Sequence, residues 1–289
     1  MSNPVFDNNA IFRDPKKARR QQTQRGAQQP GMVQDRATTA TVGYDTDALN
    51  RMYGAPSATT AQTGRLTYDD VIMKTGGLLA VVVVMAALTW FVVPDALKMP
   101  VLVVGALVGF VLGMVNSFKK VPSPGLIVAY SVAEGAFLGG ISWYFENMFD
   151  KPGLVMQAVL ATMSTFAACL VLFRSGKVRV TPKFTKWLLT AMVGYLVFSL
   201  LNVVLSFMNV GGGGAFGPLR GGGLGILVGL FAVGLAAAML IVDFDSIKRG
   251  VEAGVPAKFA WTAAFGLVVT LVWMYLEFLR LIAILRGSN

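Results

Sequence analysis

The residues best equipped for chemistry are carboxylates set in apolar sequence. Asp243 and Asp245 close the run LIVDFDSIKRG, Glu277 sits inside LVVTLVWMYLEFLRLIAIL, and Glu134 sits inside AYSVAEGAFLGGIS. A carboxylate in a lipid-spanning helix is costly, so it needs a cation, a proton or a water path, and such groups mark ion or proton routes by default. Arg280 follows Glu277 on the same helical face, where the two can pair directly. Carboxylates and carbonyls are also the ligands of hard cations. Tyr130, Tyr195 and Tyr275 are the hydroxyls that could hydrogen-bond these acids.

Other chemistries find no support. The chain has no histidine, which excludes a His-based triad or an HExxH zinc site. Its one cysteine, Cys169, excludes an internal disulfide or a thiolate cage. Ser131 lies near Glu134, but serines in membrane bundles commonly hydrogen-bond between helices. The glycine-rich stretch NVGGGGAFGPLRGGG lacks the pattern of a nucleotide loop. The expectation is a protein that is not an enzyme and uses no cofactor, with any pH response carried by carboxylates.

The elements that must position these acids are membrane spans. Of 289 residues, 55% are hydrophobic and 14% charged, and residues 151–242 contain no Asp or Glu. Soluble domains carry about 25% charged residues. Seven apolar runs, at 71–93, 100–118, 124–145, 152–173, 186–208, 222–243 and 259–285, each suffice for one crossing. The reading is an all-α membrane protein with a seven-helix domain over 68–289, preceded by a disordered polar cytoplasmic tail, 1–67. That tail is too poor in apolar residues to fold alone.

Loop charges orient the bundle. Nine Lys/Arg precede Lys74, and the alternate loops carry Lys119 and Lys120, then Arg174 to Lys186, then Lys248, Arg249 and Lys258. The opposite loops carry only Lys98, Lys151 and Arg220. The positive-inside rule then predicts a cytoplasmic N-terminus and an external C-terminus. The net charge of +10 is accounted for by this bias and by the tail, so it does not imply a nucleic-acid partner. Trp90, Trp143, Trp187 and Trp261 fall near span ends and read as interfacial anchors. Glycines spaced by four, Gly105, Gly109 and Gly113, Gly135 and Gly139, and Gly221, Gly225 and Gly229, predict close helix contacts.

Two segments, one early and one formed by the last pair of spans, resemble the Bax inhibitor-1 family of membrane proteins (TMBIM, YccA-like). AYSVAEGAFLGGIS at 129–142 is similar to the family's early Glu-Gly segment, DFDSI at 243–247 to its penultimate-helix Asp, and YLEFLRLIAILR at 275–286 to its Tyr-Leu-Asp run with a basic end. The resemblance covers about 68–286. It implies a central last helix surrounded by the others, an inner-membrane location, and a pH-sensitive calcium leak through the bilayer controlled by two facing carboxylates that share a proton. Carried over, the pair is Asp243 and Glu277, with Glu134 in the path and Arg280 offsetting charge. The second acid here is Glu rather than Asp, and it follows the first by 34 residues, more than the family's usual spacing. On straight helices that register leaves the two acids about 20 Å apart. A break at VEAGVPAKF would be needed to bring them together; otherwise Glu277 faces Glu134 or Arg280. The alternative function is a non-conducting regulator of other membrane proteins.

Overall fold

A computed structural model describes residues 64–149, 152–176, 180–208, 210 and 216–287. The tail before residue 64 lies outside the described residues. Among the described residues seven α-helices follow in order: α1 (Tyr68–Phe91), α2 (Asp95–Phe118), α3 (Pro124–Phe149), α4 (Leu154–Arg174), α5 (Pro182–Phe207), α6 (Gly222–Glu252) and α7 (Ala260–Gly287). All seven are long and apolar enough to cross a membrane. Helix starts follow local chemistry. Thr67 caps α1 by accepting from the Asp70 backbone N–H, and Thr181 caps α5 through Phe184 with Pro182 in the first turn.

α7 is the axis of the bundle. It is buried along most of its length and packs on α1, α3, α4 and α6. The outward faces of α2 and α5 are apolar and open, with Phe110 and Phe207 66% and 86% exposed, as lipid-facing surface should be. Lipid tails are as apolar as leucine, so helices in a membrane associate through close packing and polar contacts. The glycines serve that end. α3 wedges between α1 and α2, and a Cβ at Gly139 would lie 2.4 Å from the Ala86 carbonyl oxygen of α1. On the other flank a Cβ at Gly105 would lie 2.9 Å from the Phe137 backbone nitrogen.

Two boundaries differ from the sequence reading. α6 does not stop at residue 243 but continues through DFDSIKRGVE to Glu252, because that stretch is helix-compatible and Asp245 pairs with Arg249 one turn on, at 2.7 Å. The helix ends where Gly254 takes φ 65, and Ala257–Phe259 form a 3-10 turn into α7. Residues 64–67 also belong to the bundle. The Leu66 N–H donates to the Val255 carbonyl at 2.7 Å, the Ala257 N–H donates to Gly64 at 2.8 Å, and the Leu66 side chain is buried. The face of the bundle holding this contact is called here the tail face; the far face carries the α3–α4 and α5–α6 connections and the end of α7.

A polar track along the last helix

Asp243 and Thr270 meet because α6 and α7 form a hairpin. Asp243 lies nine residues before the end of α6 and Thr270 ten residues after the start of α7, so the two stand at matching depth. Asp243 is 0% exposed, and its Oδ2 lies 2.7 Å from the Thr270 hydroxyl, which donates to it. The same hydroxyl lies 3.1 Å from the Gly266 carbonyl of its own helix, so its one proton is shared between two acceptors. Asp245, two residues on and so on the opposite side of α6, pairs instead with Arg249.

Glu277 is held by a second, richer set of donors. The positions 273, 277 and 280 share one face of α7 at i−4, i and i+3. Accordingly Trp273 Nε1 donates to Glu277 Oε1 at 3.2 Å, and Arg280 Nη2 forms an ion pair with Oε2. From α5, the Tyr195 hydroxyl donates to Oε1 as well. Tyr195 is in turn an acceptor, receiving Arg280 Nη2 at 3.1 Å and Arg220 Nη2 at 3.0 Å. The side chain of Glu277 is 5% exposed and that of Arg280 12%. A carboxylate so buried requires such donors, since burying a bare charge in low dielectric is far costlier than any single hydrogen bond returns.

Arg220 reaches this cluster from the α5–α6 connection. Its Nη2 also donates to Ser199, and its guanidinium lies over the Tyr195 and Phe198 rings, 5.2 and 5.8 Å from their centroids. The connection is pinned by Asn202 of α5. Its amide donates to the Phe216 carbonyl at 2.9 Å, and its carbonyl oxygen accepts the Leu219 N–H at 2.9 Å. Gly217 makes that clamp possible. It takes φ 82, and a Cβ there would lie 2.6 Å from the Asn202 amide nitrogen.

The two acids of the expected pair therefore hydrogen-bond to different donors. Seven residues of α7 separate Thr270 from Glu277, a rise of about 10 Å. The straight-helix distance of about 20 Å is halved because the extension of α6 beyond Asp243 lets α7 regain that depth before reaching Glu277. By the same hairpin count, the α6 residue level with Glu277 is near Ala236, which is small and fully buried.

Glu134 stands apart from this track. It faces α2, where its Oε1 lies 3.0 Å from the place a Cβ of Gly109 would occupy. Its Oε2 is buried without a hydrogen-bond partner. α3 reaches α7 one turn earlier, through the edge-to-face contact of Tyr130 with Phe265, centroids 4.9 Å apart. The pairing of Glu277 is with Arg280. Tyr275 pairs with Ser142 at 2.6 Å, away from both acids.

Three participants escape sequence reasoning. Thr270 is an ordinary threonine in an apolar run, and Arg220 reads as a single loop charge. Trp273 carried a usable signal, being a tryptophan far from either span end, where a buried indole N–H needs an acceptor. A family model described as Bax inhibitor 1 like matches residues 3–287 of the chain. No curated protein matches it.

Proposed function

We propose, since the chain belongs to the Bax inhibitor 1 like family, that it passes cations, calcium foremost, across its membrane under proton control. In this reading Asp243 and Glu277 are successive stations, not one proton-sharing pair. The observation that carries it is the stacking of two buried carboxylates at two depths along the buried face of α7. Single structural acids are explained by a local partner. Two of them, aligned along the axis of the bundle, are what a stepwise route for a hard cation requires.

The arrangement described is the shut one. Arg280 occupies the coordination position on Glu277 that a passing cation would need. Protonating Glu277 removes the charge that holds Arg280, and a buried arginine without its anion is unstable by about 3–5 kcal/mol, so the ion pair opens. Flux then rises as pH falls. The loop-charge bias supports a cytoplasmic tail face in a bacterial-type inner membrane. The bilayer is the only partner the reading requires.

The test is calcium entry into liposomes holding the purified protein and a trapped indicator dye. Wild type should conduct more at acid than at neutral pH, Glu277→Gln should conduct at both, and Asp243→Asn should lower flux or flatten its pH response. Liposomes no leakier than protein-free ones at either pH would overturn the proposal. That result would favour the non-conducting regulator, a reading supported by the complete set of partners around Glu277.

A further inference from the structure

The Glu277 cluster is unbalanced in charge. Two arginines, Arg220 and Arg280, converge on one phenol oxygen, and the one carboxylate beside them, Glu277, is paired to Arg280. The Nε of each is shielded from solvent and has no hydrogen-bond acceptor. No side chain of α4, α5, the α5–α6 connection or α6 up to Val242 can balance them, because residues 151–242 contain no Asp or Glu. Among the described residues of the far face the remaining acids are engaged. Glu146 accepts from the Gly153 and Val155 backbone N–H groups at 2.5 and 3.1 Å, and Asp95 pairs with Lys98 at 2.8 Å.

We propose that Arg220 and Arg280 form a binding site for a phosphate-type oxyanion at the far face of the bundle. A guanidinium is a planar fork of donors matched to paired oxygens on phosphate or carboxylate, and an anion admitted by a shift of these two side chains cancels the excess charge and gives the shielded Nε–H groups an acceptor. The backbone after Arg220 is uncrowded: a Cβ built at Gly221 or Gly223 would meet nothing within 4 Å beyond its chain neighbours. α6 begins at this point with no side-chain cap on its first turn, which adds backbone N–H donors on the same side. Arg220 stands just before the start of α6 and Arg280 two turns inside the end of α7, so the oxyanion enters from the far face, either as a lipid phosphate or from solution. This assignment does not depend on whether the protein conducts.

The experiment uses the full chain and reads binding. Protein purified in a sugar-headgroup detergent free of phospholipid is titrated with inorganic phosphate against sodium chloride of equal ionic strength, following the thermal unfolding midpoint and the tryptophan fluorescence to which Trp273 contributes. A parallel arm compares protein loaded with phosphatidylglycerol. Wild type should show a saturable rise in midpoint with phosphate, with phosphatidylglycerol, or with both. A response to free phosphate that vanishes after lipid loading identifies the lipid as the source. Arg220→Gln should weaken the response about tenfold, as expected for loss of one charge-assisted fork, and Arg220→Lys should restore part of it. Lys258→Gln, which removes an equal charge from the tail face, should leave it unchanged. Should Arg220→Gln not fold, Gly221→Leu serves instead, since it adds bulk beside Arg220 while keeping both guanidiniums. No saturable response in wild type in either arm overturns the site, as does an undiminished response in the folded Arg220 or Gly221 variant.

Discussion

Tyr195→Phe removes one oxygen and with it three hydrogen bonds that join α5, the α5–α6 connection and α7. That oxygen donates to Glu277 and accepts from Arg220 at 3.0 Å and Arg280 at 3.1 Å. Neutral hydrogen bonds between membrane helices average about 0.6 kcal/mol, whereas those to charged partners are worth about 1.5–3 kcal/mol. The three cannot simply be summed, since Glu277 keeps Trp273 and Arg280, and Arg220 keeps Ser199. The expected loss is about 2–3 kcal/mol in unfolding free energy, the equivalent of one charged bond fully lost and the others partly replaced. It is measured by titrating the detergent-solubilised protein with sodium dodecyl sulfate and following helicity. A double-mutant cycle with Arg220→Gln should show coupling of about 1 kcal/mol or more, because both changes remove the same bond. A single-variant loss below about 0.5 kcal/mol together with additive effects in the double variant would mean that the cluster does not hold the connection against α5, and the reasoning would fail.

Two further outcomes follow from the packing and from the deeper station. Gly139→Ala places a methyl 2.4 Å from the Ala86 carbonyl oxygen, which is backbone and cannot rotate away, so α1 and α3 must separate. The variant should lose about 1–3 kcal/mol in the same unfolding titration, and Gly76→Ala, where a Cβ meets nothing within 4 Å, should be neutral within about 0.5 kcal/mol. Thr270→Val keeps the shape of the side chain but removes a donor from the fully buried Asp243. It should cost about 1–3 kcal/mol, while Thr270→Ser should restore most of the loss.

The carboxylates themselves were visible from their setting, and so was the direct partner of one of them. Glu277 and Arg280 are three residues apart on one helix, and helical periodicity alone puts them in contact. Tyr195 could be named as a candidate donor but not assigned to Glu277 over Glu134, because the choice depends on which helix lies beside α7. The pairing of Asp243 with Thr270 was out of reach for another reason. It depends on where the α6–α7 turn falls, and the acidic, basic and glycine residues of DFDSIKRGVEAG suit the end of a span as well as they suit its continuation. Nine further residues of α6 changed which positions of α7 stand level with Asp243. Arg220 was the least legible, since a loop residue has no periodicity, and its place is set by an asparagine clamp and a positive-φ glycine.

Composition and periodicity by themselves determined that this chain is a bundle of seven spans, that Gly105, Gly135 and Gly139 would mark close helix contacts, though Gly221, expected with them, meets nothing within 4 Å, and which few charges would have to be explained inside it. Those properties are additive along the chain: each run either is or is not long and apolar enough, whatever its neighbours do. Only the tertiary structure decided that the two acids keep separate company and that a loop arginine completes the cluster of the second. Hydrogen bonds and ion pairs need groups within about 3 Å, and a shift of one helical turn at the α6–α7 hairpin is enough to exchange one set of partners for another.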